Sequence, residues 1–476
     1  MNNLVVMKFG GTSMGSAERI RTAARIAGEE YAKRPVVCVV SAMSKITDLL
    51  LDSMRHAEGG DEAGLAKGIE TLRERHLTTL TELLPEAVQD RVRAEIGRLI
   101  TEFERIARGM FMLGERPPRS VDEAVATGER LSALLMAAYL DGQGIRAKDV
   151  NAAEVVVTDS VFGGASPLMD HTTHKAEQIL KPMLDSGVLP VVTGFNGSTL
   201  DGRPTTLGRG GSDFSASILA AALNAEELWI WTDVDGIMSA DPRVVKNARV
   251  LDEVTYAEAA ELAYNGAKVL HPRTLAPLVE RQIPVWSKNS FALDKPGTKI
   301  VPAIAGPGGP RAVTSMAKVA LVSIESDDAA LTGTKLMARA LGALARCNAE
   351  VLALTSSSYR QSFCFLVRQD ELRMVIDHLE EDLSIELAHG YVKPFDVNSD
   401  VGLLAIVGEG MRGTPGLAGR IFTAISRDNI NIIAIAQGSS ELTIAVVVKR
   451  DGLEQAVRAV HHECDMGIPA LEEARA

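Results

Sequence analysis

Aromatic residues are scarce in this 476-residue chain, at 4%, so aliphatic side chains must fill any core. Cysteine is scarce too: Cys38, Cys347, Cys364 and Cys464 lie far apart, and none forms a C-x-x-C pair. That spacing excludes a disulfide framework and a zinc ribbon, and it fits a reducing compartment. No apolar run approaches the roughly 20 residues that span a bilayer. The N-terminus runs into an apolar strand without a basic region or cleavage site. The expectation is therefore a cytoplasmic protein. A surplus of positive charge is also missing. The formal net charge of -12 argues against nucleic acid or an anionic membrane as the main partner, since phosphates are bound by clustered Lys and Arg. The sequence G-x-x-x-x-G-K-S/T is absent as well, which excludes a P-loop nucleotide site at motif level.

What is present is ordinary globular composition, with 46% hydrophobic and 24% charged residues, at a length that suggests two to four domains. The chain opens on Val5-Val6-Met7-Lys8-Phe9-Gly10-Gly11-Thr12-Ser13, an apolar run that meets a lysine and two glycines before a helical stretch from Ala17. Such a loop belongs at the carboxyl end of a buried strand, where open α/β sheets bind ligands. Glycines admit backbone N–H groups to an anion, and a helix N-terminus adds about half a positive charge. A second buried strand, residues 35–40, ends in Ser41-Ala42-Met43-Ser44-Lys45-Ile46-Thr47-Asp48, and the two loops suggest one crevice.

Residues 49–114 carry helical periodicity (Leu72, His76, Leu80, Leu83; Val92, Ile96, Leu99, Phe103), interrupted at Pro85, and read as a helical excursion on the α/β core. Ser120-Val121-Asp122-Glu123 matches a capping box ahead of a helix bearing Gly128 and Glu129. Glu129, among Val125, Leu131 and Leu134, either faces the crevice or faces water. Strands are expected at 155–158 and 188–193, the latter followed by Gly194-Phe195. Thr205-Thr206-Leu207-Gly208-Arg209-Gly210-Gly211-Ser212-Asp213 then opens a helix and is the strongest local signal. Arg209 among three glycines suits an anionic ligand held bidentately, while Ser212 and Asp213 also suit a plain N-cap. After a strand at 227–231 come Thr232-Asp233-Val234-Asp235-Gly236 and Asp241-Pro242-Arg243, then Gly266-Ala267-Lys268-Val269-Leu270-His271-Pro272. Gly and Pro cluster near residue 305 and mark a boundary.

Beyond it the chain repeats a strand, helix, strand, strand, helix order, so that Asn348 recurs as Asn429. This predicts two ferredoxin-like βαββαβ modules, at 315–396 and 400–466. Gly408-Glu409-Gly410-Met411-Arg412-Gly413 fits G-x-G-x-x-G, but too little chain follows for a dinucleotide fold, and the repeat accounts for the glycines. His171 with His174, and His461-His462 with Glu463-Cys464, read as solvated or satisfied side chains, so no metal site is expected.

The ordered set KFGGTS, SAMSKIT, TLGRGGSD, WTDVDGI with DPR, and GAKVLHP, followed by two such modules, resembles the aspartate kinases over essentially the whole chain. The resemblance implies an amino-acid-kinase α/β/α sandwich over residues 1–304, followed by paired ACT modules. It implies transfer of the ATP γ-phosphoryl group to the side-chain carboxylate of L-aspartate, giving 4-phospho-L-aspartate, the first step towards lysine, threonine and methionine. By the same resemblance Lys8 bridges the transferring phosphoryl oxygens, Gly10 and Gly11 donate N–H groups, and Asp213 orients Lys8. Thr47, Glu129 and Arg209 hold aspartate, with Glu129 on its ammonium and Arg209 on a carboxylate, while Ser41, Phe195 and Ser212 line the pocket. Thr232, Asp233, Arg243 and Lys268 bind ATP, with Mg²⁺ carried by its phosphates. Met238 stands where related enzymes usually have an aromatic residue. Gln437 resembles the effector contact of threonine-responsive members, and Ser356 holds the equivalent place in the first module, where such members often carry a second Gln. Leu352 stands where lysine-responsive members tend to have Asp. Threonine is thus the favoured inhibitor, with lysine the alternative, and a homodimer or higher homo-oligomer is implied. The rival reading is a noncatalytic amino-acid sensor with a degenerate kinase domain.

Overall fold

The computed structural model describes residues 3–267, 269–304, 309–326, 333–357 and 362–467. The chain divides into two compact units: Met1–Ile237 with Asp252–Tyr256 and Leu270–Ile304, and Met238–Leu251 with Ala257–Val269 and Ala305–Ala476. The expected single catalytic block 1–304 therefore gives up two segments to the second unit.

The strands of the first unit are Val5–Phe9 (β1), Val36–Val40 (β2), Ala147–Val150 (β3), Val157–Thr158 (β4), Leu189–Thr193 (β5), Asn196–Thr199 (β6), Pro204–Thr206 (β7), Glu227–Thr232 (β8), Glu253–Thr255 (β9), Val285–Asn289 (β10) and Thr298–Val301 (β11). An eight-stranded sheet has the order β3-β5-β2-β1-β8-β10-β11-β9, and a small sheet has the order β4-β6-β7. β1 runs parallel to both neighbours, β2 and β8, and every residue of it is buried. A parallel strand covered on both faces needs a continuous apolar run, which Val-Val-Met-Lys-Phe supplies everywhere but at Lys8.

Alternation assigns the faces. Val5, Met7 and Phe9 enter a core shared with helices Ala17–Tyr31, Ile46–Glu58, Glu62–Leu83, Glu86–Leu113 and Thr127–Gly142. Lys8 points to the opposite face, where helix Gly211–Ala222 packs against β1. The expected helical excursion is present as the three helices between Ile46 and Leu113. The expected capping box is not. Pro117 precedes helix Pro118–Val125, which leaves Ser120 inside it, because a proline at the first helical position starts the helix earlier.

In the second unit Ala312–Ile324 (β12), Ala353–Ser357 (β13), Ser362–Arg368 (β14), Asp396–Val407 (β15), Ile432–Gln437 (β16) and Thr443–Lys449 (β17) form one antiparallel sheet, ordered β13-β14-β12-β15-β17-β16. The repeat is real, but the modules are interleaved rather than successive. Residues 319–323 of β12 pair with 396–401 of β15, within the first module. Residues 312–316 pair with 403–407, so the stretch ahead of the first module supplies the fourth strand of the second. Ala240 and Val245 enter the core of that second module, with Met238 packed against it. This burial holds segment 238–251 in the second unit. Among the described residues no helix is long and apolar enough to cross a membrane.

His76 is a buried exception in the helical layer. Its Nδ1 lies 2.7 Å from the Leu72 carbonyl, while Nε2 has no hydrogen-bond partner among the described residues. Burial lowers its pKa from 6.5 to about 4. The folded ring therefore stays neutral where an unfolded one takes up a proton, and stability should fall as pH drops from 6.5 to 4, by roughly 3 kcal/mol in full. Denaturant unfolding across that window checks it. His76→Leu should flatten this part of the profile, and an unchanged slope would contradict the account.

Candidate active site

The carboxyl ends of four parallel strands lie side by side, because Phe9 pairs with Val40 and Trp231, and Val40 with Thr193. The loops that leave these ends carry most of the expected residues. Lys8 is 8% exposed, and its ammonium group lies 2.5 Å from Asp213 Oδ1. Asp213 occupies the first turn of helix Gly211–Ala222, whose N-cap is Gly210. An ammonium buried in a sheet needs a counter-charge, and this one has it.

The loop after β1 corrects one expectation. The Gly10 N–H donates to the Trp231 carbonyl at 3.2 Å, so it is not free for a phosphate. The N–H groups of Gly11, Thr12 and Ser13 have no acceptor among the described residues. Ser13 Oγ meets Ser290 Oγ at 2.8 Å, and Ser290 donates its N–H to the Thr232 carbonyl at 2.9 Å. Three strand ends are tied by this chain of bonds.

Glu129 is buried, at 3% exposure, in the first turn of helix Thr127–Gly142. Its Oε1 accepts the Ala42 N–H at 3.2 Å, and its Oε2 has no hydrogen-bond partner among the described residues. Burial pushes its pKa up to about 8, against the opposing pull of the Ala42 amide and the Lys8 charge. A Cβ on Gly128 would lie 2.8 Å from Ala42 Cβ. Glycine at 128 is thus what lets the helix approach the loop closely enough for Glu129 to reach it. Ser41 and Thr47 are half-buried on the same loop and at the start of helix Ile46–Glu58. Lys45, which precedes that helix, is held at φ 65°. Arg75 reaches the Ser44 carbonyl from the helical layer, at 2.9 Å.

Arg209 is exposed, between Gly208 at φ +75° and Gly210 at φ +70°, and makes no ion pair or hydrogen bond among the described residues. Both flanking positions lie in the left-handed region that favours glycine. Phe195 takes the same region at φ 73°, held by its N–H to Ser215 Oγ at 2.9 Å and by the Leu207 N–H on its carbonyl at 2.8 Å. Ser212 is half-buried against Gly194, where a Cβ would come within 2.7 Å of Ser212 Cβ.

Asp122 is a residue that sequence reasoning missed. It is 2% exposed and accepts the Gly163 N–H at 2.8 Å, the Thr206 N–H at 2.9 Å and the Thr206 hydroxyl at 2.7 Å. The signal was an acid between Val121, Ala124 and Val125, which the capping-box pattern explained away.

The expected nucleotide residues are divided. Thr232 and Asp233 belong to the first unit, with the Thr232 hydroxyl 3.3 Å from Asp233 Oδ1. Met238 and Arg243 belong to the second, where Arg243 Nη2 pairs with Asp241 Oδ2 at 2.6 Å. Lys268 lies outside the described residues. Also in the second unit, a cavity of about 440 Å³ is lined by Gln437, Glu441, Met411, Gly413, Leu417 and Ile444. Glu441 accepts the Gly413 N–H there at 2.6 Å. Ser356 is exposed on the edge strand β13, and Leu352 packs against the sheet's apolar interior.

Comparison with known proteins agrees with this arrangement. Residues 3–289 match the amino acid kinase family, and residues 404–464 match an ACT domain. The chain is 36% identical over 465 residues to the bifunctional aspartokinase/homoserine dehydrogenase 1 of Arabidopsis thaliana, covering 96% of itself and 50% of that protein. It thus spans about half the length of this bifunctional relative. Aspartokinase 3 of the same plant is 32% identical, with 96% of this chain and 80% of that one covered. Among solved structures, Escherichia coli aspartokinase III in complex with aspartate and ADP is similar with a TM-score of 0.82 and 31% identity, over 97% of this chain and 99% of that one. The same enzyme with lysine and aspartate gives a TM-score of 0.79. The chain belongs to the amino acid kinase family, and within it to the aspartokinases.

Proposed function

We propose that this chain transfers the γ-phosphoryl group of ATP to the side-chain carboxylate of L-aspartate, forming 4-phospho-L-aspartate and ADP. The observation that carries the reading is the ion pair of buried Lys8 with half-buried Asp213 at a strand-end crevice that also holds Glu129, with its Oε2 unpartnered. That oxygen suits an ammonium group. Arg209, unpaired on its glycine loop, suits a carboxylate, and Thr47 supplies a hydroxyl beside them.

The chemistry needs neutralisation more than proton transfer. A carboxylate is ionised at neutral pH, so no general base is required, but nucleophile and phosphoryl group repel each other. Lys8 and the loop N–H groups from Gly11 to Ser13 offset that repulsion and hold the two in line as the carboxylate–phosphorus bond forms and the bond to ADP breaks. Asp213 holds the Lys8 ammonium in position. Thr232 and Asp233 take the nucleotide. Mg²⁺ would be carried mainly by the nucleotide phosphates and would offset their charge.

The regulatory reading rests on the second-unit cavity. Its volume suits a small amino acid, Gln437 offers an amide to a hydroxyl, and Glu441 offers a carboxylate to an ammonium group. We infer threonine as the effector and assembly as a homo-oligomer through the ACT modules.

Trapping the product with hydroxylamine should give a side-chain hydroxamate from aspartate and none from glutamate. No hydroxamate from aspartate would end the assignment. Lys8→Ala should lower turnover by on the order of 10²-fold or more, the scale for one preorganised donor. Near-normal turnover would remove Lys8 from the chemistry.

Glu129 makes aspartate affinity depend on pH. Below about 8 the free carboxyl is protonated, and it must lose that proton to receive an ammonium group. Affinity should therefore rise up to about tenfold per pH unit below 8 and level off above it. Glu129→Gln should abolish the slope, and a flat wild-type profile would contradict the role.

In the same assay L-threonine should suppress activity and L-lysine should not, with Gln437→Ala relieving the suppression. Suppression by lysine alone would overturn the effector assignment.

A further inference from the structure

Three hydrogen bonds converge on a carboxylate that the proposed reaction does not consume. Asp122 Oδ2 accepts the Gly163 N–H at 2.8 Å and the Thr206 N–H at 2.9 Å, and Oδ1 accepts the Thr206 hydroxyl at 2.7 Å. Thr206 is the last residue of β7, and the glycine loop that presents Arg209 begins directly after it. The Thr206 carbonyl also accepts the Ala165 N–H at 2.8 Å. On the other side, helix Pro118–Val125 ends just before helix Thr127–Gly142, whose first turn carries Glu129. One buried side chain thus fastens the strand end that delivers Arg209 to the helix pair that delivers Glu129.

We propose that Asp122 is a positioning residue that fixes the placement of Arg209 relative to Glu129, and thereby sets how tightly the site holds its amino dicarboxylate. The proposal rests on the reading of these two residues as the holds on the ammonium and carboxylate groups. The bonds are what make the spacing firm. A buried carboxylate with three donors has few alternative rotamers, and each donor that lost it would be left unsatisfied. With the joint intact, the ammonium and carboxylate groups of one bound substrate meet both residues at once. With the joint cut, the Arg209 loop is free to retreat, and the substrate loses one of its two holds.

The test compares kcat, KM for aspartate and KM for ATP in Asp122→Ala, Asp122→Asn and Thr206→Val. Displacing a substrate-holding group by about an ångström is enough to cost up to 10²-fold. Asp122→Ala should therefore raise KM for aspartate tenfold or more and leave KM for ATP within about twofold. Asp122→Asn should restore the wild-type values. Its carbonyl oxygen can take both N–H donors, and its amide can donate to the Thr206 hydroxyl, which then turns to accept. Thr206→Val removes one bond of the three and should give a smaller rise of the same kind.

If Asp122→Ala does not fold, the Thr206→Val and Asp122→Asn pair decides by the same split between the two KM values. An aspartate KM untouched by Asp122→Ala, with Arg209→Ala raising it, would overturn the proposal and leave the substrate reading standing. Parallel loss in both KM values together with a lowered Tm would also overturn it, since that is what a merely structural residue does. Aspartate KM unchanged in both Arg209→Ala and Glu129→Gln would remove the substrate reading, and the proposal with it.

Discussion

A positive charge has been placed in the middle of a strand that is buried on both faces, and much of the first unit is arranged to tolerate it. Lys8 cannot leave β1 without disrupting pairing to β2 and β8, and it cannot be solvated there. Its partner arrives from helix Gly211–Ala222, which places Asp213 at 2.5 Å. Removing one member of a buried pair typically costs about 3–5 kcal/mol, because the other charge is left uncompensated. The helix start, the glycines before it and the alternation of β1 are therefore one constraint expressed three times.

The same constraint shapes the rest of the crevice. A site enclosed enough to bury Lys8 also buries Glu129, and there the loss of water raises the carboxyl pKa to about 8. The Lys8 ammonium has a counter-charge in Asp213, while burial disfavours the charged form of Glu129. Under the proposed function that asymmetry suits a zwitterion with an extra carboxylate, since each end of such a ligand supplies what the protein lacks. Asp122 and the Ser13–Ser290 bond tie the surrounding loops to one another.

Much of this was legible in the sequence where local chemistry decides it. Val-Val-Met-Lys-Phe announces a buried strand with one anomalous charge, and three glycines around Arg209 announce a loop that an anionic ligand can approach closely. Legibility failed where the deciding partner is distant in sequence. Asp122 meets Thr206 across 84 residues, and no local pattern encodes that. Gly10 donates to Trp231, a partner set by sheet order rather than by the loop's own composition. The module boundaries failed for a related reason. A repeat in sequence shows that two similar units exist, but not that residues 312–316 complete the second from ahead of the first. The exchange turns two four-stranded sheets into one continuous sheet, with only β13 and β16 at its edges. Met238 was read from its place in a motif, and the structure packs it, partly buried, against the second module's core.

The most direct measurement is a crystal structure with L-aspartate and a non-hydrolysable ATP analogue bound together. The account predicts the ammonium group of aspartate on Glu129 Oε2 and the γ-phosphoryl oxygens on Lys8 Nζ, with the side-chain carboxylate in line between them. Aspartate bound away from Glu129, or a γ-phosphoryl group out of reach of Lys8 while Lys8 remains on Asp213, would contradict it.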